Sequence, residues 1–223
     1  MFNITPRIQL ILFIVLALII DYLPIVNLPF LWSETFFHEI SHGLSALITG
    51  GVIQGISLNF NGSGLCTTSG GSHFLISFAG YAGSVVWGLV IYSTASVLSK
   101  AKAKYIVATI VLLLTVVLVL WARDIPTITI LIILLAMYLT PLFSALSVIG
   151  AKYFIQLVGI FVMLDAIRSP LYLLDGRDLG DGAALSQLTW LPEIFWIATW
   201  FVFAVSGLLL LWKLAGNTAK DES

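Results

Sequence analysis

The sequence is poor in almost everything a soluble domain uses. Charged residues fill only 9% of its 223 positions and the net charge is -1, so no basic tract of the kind that binds nucleic acid is present. The one short cluster, Lys100, Lys102 and Lys104, adjoins an apolar run and reads as a membrane-orientation signal. A single cysteine, Cys66, excludes an intramolecular disulfide and any zinc site built from cysteines. The first apolar run, from Ile8, is long and lacks a small-residue cleavage site, which argues for a retained span over a signal peptide.

What fills the chain instead is apolar: 60% of residues are hydrophobic and the mean hydropathy is +1.07. That composition belongs to an integral, multi-pass membrane protein whose partner is the lipid bilayer. Long apolar segments without strand-like alternation predict helices rather than a barrel. The expected architecture is an all-α polytopic membrane protein, one membrane-embedded domain over residues 1–223, with about six or seven transmembrane helices. A small β-hairpin is expected at about 52–72, where alternation and the Asn61-Gly62 turn signal replace the apolar run, and a loop at about 174–190.

Chemistry concentrates in His38-Glu39-Ile40-Ser41-His42. On a helix the two histidines are one turn apart on one face, so both imidazoles can bind one zinc ion while Glu39 reaches a water on it. Polar residues at membrane depth are costly and therefore functional candidates. Ser33 is expected to cap this helix, with Glu34 in its first turn and Gly50-Gly51 at its end. The hairpin that follows must lie at the surface or line a covered cavity, and an open edge beside the metal could pair with an extended peptide. Gly80, Ala82, Gly83 and Gly88 then form a small-residue helix that can pack closely on the metal helix, with Gly80, Gly83 and Ser84 as candidates for positioning substrate. His73, at the mouth of that helix, reads as an interfacial residue rather than a ligand.

A hydrolytic zinc keeps an open position and needs a third protein ligand, which here must be a carboxylate. Asp165 ranks first, because an intramembrane carboxylate requires a partner, either Arg168 one turn on or the metal. Asp181 ranks second, because a loop can fold back over the site, and Asp175 third. In such a site Glu39 is the general base.

The HExxH on a second membrane helix, the Gly-rich hairpin and the run Ala79-Gly80-Tyr81-Ala82-Gly83 resemble the site-2 protease family of intramembrane zinc metalloproteases, in particular its compact bacterial and plant branch. The resemblance implies His38 and His42 as zinc ligands, Glu39 as catalytic base, and an aspartate from a later segment as third ligand. It also implies a membrane-anchored protein as substrate and, for this branch, a bacterial inner membrane as the location. The chain departs from the better-studied branch in lacking the full Asn-x-x-Pro-x-x-Asp-Gly context, although Leu174-Asp175-Gly176 mimics its last residues. Two other readings compete: a non-catalytic zinc-binding membrane protein of the same fold, and a small ion-coupled transporter. The intact Glu39 argues against the first, and a single site without an internal repeat against the second.

Overall fold

A computed structural model describes residues 5–97, 103–143, 148–177 and 179–221. Lys100 and Lys102 therefore lie outside the described residues. The elements are α1 (Pro6–Asp21), α2 (Pro24–Ile48), β1 (Val52–Leu58), β2 (Gly64–Ser69), α3 (His73–Val97), α4 (Ala103–Leu120), α5 (Ile125–Phe143), α6 (Val148–Arg168), a 3-10 turn (Ser169–Asp175), α7 (Asp181–Thr189) and α8 (Glu193–Asp221).

The metal helix begins nine residues before Ser33, at Pro24. A proline in the first turn lacks only an N–H that would have no helical partner, and its fixed φ suits the start of a helix. Pro29 is carried inside the helix. Ser33 is thus no cap: its hydroxyl donates to the Pro29 carbonyl at 2.8 Å and accepts from the Tyr138 hydroxyl at 3.2 Å. Glu34, expected in a first turn, is buried mid-helix. At the other end Gly50 takes a φ of 84° and the Gly51 N–H returns to the Ala46 carbonyl at 2.8 Å, which stops the helix where the sequence predicts. The longer helix places His38 about 21 Å along it, near its middle rather than near one end.

Three helices are long and apolar enough to cross a membrane, and the count rises to four if α1 and α2, which meet at 114°, form one broken span. The expectation of about six or seven is not met by these criteria. Lys104–Leu120 and Ile125–Pro141 are apolar but short, reaching about 25 Å against a hydrocarbon core of about 30 Å. At the centre α3 lies against α6 through facing glycines. A Cβ on Gly88 would come within 3.1 Å of the Gly159 carbonyl, and one on Gly159 within 2.8 Å of the Tyr92 nitrogen. Such contacts substitute for the hydrophobic drive that lipid does not supply between helices.

The hairpin forms where it was expected, antiparallel from Val52↔Ser69 to Leu58↔Gly64, with an irregularity between Ile53 and Gly55. Ile53, Ile56 and Leu58 point into the core formed with α2, α4 and α5. The outer edge of β1 is taken up: Ile56 N–H donates to the Trp121 carbonyl at 3.2 Å, and Leu58 N–H to the Thr127 hydroxyl at 2.7 Å. Asp124 caps α5 by accepting from the Thr127 N–H at 2.8 Å and from its hydroxyl at 2.8 Å. The sheet has two strands among the described residues, so its open edge belongs to β2, which faces α2.

Candidate metal centre

Two histidines four apart on α2 meet one carboxylate from α7. His38 Nε2 and His42 Nε2 are 3.0 Å apart, and Asp181 Oδ2 lies 3.2 Å from the first and 3.3 Å from the second. Among the described residues this is the His/Cys/Asp/Glu group able to hold a metal ion. Zinc bonds of about 2.0–2.1 Å in a tetrahedron give ligand-to-ligand edges of about 3.3 Å, so the triangle fits that ion with one position left for water or substrate. His42 Nδ1 donates to the Ile76 carbonyl at 2.6 Å. A carbonyl can only accept, so the proton sits on Nδ1 and Nε2 is left with its lone pair for a metal.

The space in front of the triangle is kept open by a glycine. A Cβ on Gly80 would sit 2.5 Å from both His38 Nε2 and His42 Nε2, so any other residue there would occupy the donor face. Gly83 instead admits Ser41, whose hydroxyl would lie 2.2 Å from an added Cβ. Ser84 is buried and donates to the Gly80 carbonyl at 3.1 Å. Of the three residues proposed to position substrate, Gly80 touches the site, while Gly83 and Ser84 serve helix packing.

The aspartate ranked first is not the one that meets the histidines. Asp165 accepts from the Ser169 hydroxyl at 3.1 Å, one turn further on, and Arg168 pairs with Asp21 of α1 instead, where Asn27 also donates at 3.0 Å. Local hydrogen bonding therefore provides what membrane burial demands of Asp165 without a metal. Asp175 closes the 3-10 turn, and its side chain lies outside the described residues. Asp181 arrives because Gly176 and Gly180, at φ 73° and 89°, turn the chain back over α2. Behind it, a Cβ on Gly182 would lie 2.6 Å from Glu193 Oε1, so glycine there leaves room for the Glu193 side chain as α7 seats. Burial opposes the charge on Asp181, but the imidazoles of His42 and His38 outweigh it and hold the carboxyl well below the usual range. The glycines flanking Asp181 were the sequence signal for this close approach.

Glu39 is 5% exposed and turns toward β2, where a Cβ on Gly64 would lie 2.6 Å from its Oε1. Burial, then the charge of Glu39, pushes the Cys66 thiol up to about 12, so it stays neutral and no ligand. Glu39, the triangle, Asp165, Tyr81 and the β2 residues Gly64 to Cys66 line one cavity of about 970 Å³. His73 lines the same cavity, outside the donor group.

The Peptidase M50B-like family matches residues 10–211. The chain belongs to this family. It is a site-2 protease family, in agreement with the resemblance carried by the HExxH and the small-residue helix. No curated protein and no solved structure gives a significant match to this M50B-like chain. Its apolar helices make it a membrane protein, and its His-His-Asp group can form a metal site. Tyr81 lines the cavity and was passed over in the sequence, where it was read only as part of a packing run.

Proposed function

We propose that this M50B-like protein is an intramembrane zinc metalloendopeptidase that hydrolyses a peptide bond of a membrane-anchored protein, in a bacterial inner membrane. The observation that carries the reading is the His38–His42–Asp181 triangle beside Glu39 in a polar cavity within an apolar helical bundle. With α4 and α5 counted as crossings, the bundle would have six spans. His38, His42 and Asp181 would hold zinc, which when bound activates water and polarises the scissile carbonyl. Glu39 takes the water proton as that oxygen attacks the carbonyl carbon, and returns it to the departing amine nitrogen as the C–N bond breaks. A substrate helix must unwind to expose that carbonyl. The open edge of β2 offers main-chain partners for the unwound segment, and β2 lines the same cavity as Glu39. Side-chain-independent pairing of this kind favours substrates whose helices unwind easily.

The test compares membrane-protein fragments in cells carrying wild type or Glu39→Gln. Accumulated full-length substrate and absent fragments are expected in the variant, with zinc content unchanged. Identical fragment patterns would favour the non-catalytic zinc-binding reading.

A further inference from the structure

Hydrolysis of an amide passes through a tetrahedral intermediate whose carbonyl oxygen gains negative charge. Preorganised donors aimed at that oxygen supply a large share of catalysis in water-poor sites. The chain lacks the asparagine context noted above, and Gly80 presents no side chain, so the donor must come from another residue of the cavity.

Tyr81 has the required placement. It is 9% exposed and lines the cavity with Glu39 and the donor triangle. Its ring is held from two sides: edge-on to His38 with centroids 4.6 Å apart, and against Trp200 at 4.6 Å. Trp200 is itself fully buried and anchored by donating to the Phe78 carbonyl at 3.2 Å. Asp181, Asp165 and Glu39, from α7, α6 and α2, line the same cavity as Tyr81, which sets its ring among the reacting groups. It makes no hydrogen bond to any described residue. A buried phenol fixed on both faces ordinarily uses its O–H. Here the O–H is left for something that enters the cavity.

We infer that Tyr81 is a further catalytic residue, whose phenol O–H donates a hydrogen bond to the carbonyl oxygen of the scissile peptide as it becomes an oxyanion. The inference rests on the proteolytic reading. Tyr81 keeps its proton throughout: the C–O bond forms from water, the C–N bond breaks, and the transferred proton travels on Glu39.

Tyr81→Phe removes the hydroxyl while keeping both ring contacts. In full-length protein in nanodiscs, with dye-labelled casein as a generic unfolded substrate, kcat is expected to fall about 100-fold with KM unchanged. Zinc stays at wild-type level. Replacement of Tyr81 by 4-aminophenylalanine, which keeps ring and donor, restores most of the rate. Independently of turnover, a phosphinic dipeptide, whose tetrahedral anion mimics the intermediate, is expected to bind Tyr81→Phe at least 10-fold more weakly by calorimetry. Unchanged kcat or unchanged phosphinic affinity overturns the assignment. So does loss of zinc or of the folded protein in Tyr81→Phe, because the hydroxyl would then support the metal site or the fold and not the reaction. Should wild type and Glu39→Gln both leave casein intact, the proteolytic reading fails, and the phosphinic measurement still decides Tyr81.

Discussion

Asp181 Oδ2 lies 3.3 Å from His42 Nε2, although the two residues sit on helices with four others between them in the chain. The contact closes the donor triangle and separates it from Asp165, which is satisfied by Ser169. Purified protein is expected to carry about one zinc per chain, and His38→Ala, His42→Ala or Asp181→Ala to carry less than about a tenth of that. Asp165→Asn is expected to keep its zinc. Elemental analysis after dialysis measures this, and a zinc-free Asp165→Asn together with a zinc-loaded Asp181→Ala would transfer the third-ligand role to Asp165.

Gly80 makes a second prediction. A methyl group 2.5 Å from both Nε2 atoms cannot coexist with imidazoles turned toward a common ion. Gly80→Ala is expected to weaken zinc binding by about 10- to 100-fold, the range found when groups that orient ligands are lost. Alanine is the better helix former, so the helix itself is preserved. A competitive chelator titration reads the affinity. Wild-type affinity in Gly80→Ala would mean that α3 and α2 separate when the site fills.

The tie between Asp124, Thr127 and Leu58 gives a prediction in pH. Burial alone would raise the Asp124 carboxyl, but the Thr127 N–H and hydroxyl outweigh it and hold it below its ordinary value. A group whose folded value is depressed stabilises the fold above the unfolded value, about 3.9, and loses that contribution as pH falls toward the folded one. Asp124→Ala is expected to lower stability by about 0.5–2 kcal/mol at neutral pH, as lost helix caps do. The difference from wild type should shrink below about pH 4. Thermal unfolding in detergent across pH 3–7 measures it, and a difference that persists undiminished at low pH would mean that capping does not depend on the charge.

Several elements were legible because one physical rule dominated each. The alternation and Asn61-Gly62 in residues 52–72 specify a hairpin, and β1 and β2 form there. The i, i+4 spacing of His38 and His42 places both imidazoles together, and they meet at 3.0 Å. The start of α2 was expected at Ser33, but Pro24 in the first turn starts the helix and Pro29 is accommodated within it. Asp165 was ranked ahead of Asp181, the carboxylate that meets the histidines, because burial cost was weighed without the local alternative. Ser169, four residues beyond Asp165, offered that alternative in the sequence. The identity of Asp181 depended on where a glycine-flanked loop lands, which no periodicity encodes.

The donor triangle also orders events during synthesis. His38, Glu39 and His42 leave the ribosome with the first membrane helices, whereas Asp181 follows only after α6 has been made. A growing chain therefore carries two imidazoles and a base with no completed coordination set. On the proteolytic reading, a chain wired in this way stays inert until the segment that carries Asp181 has joined the first helices.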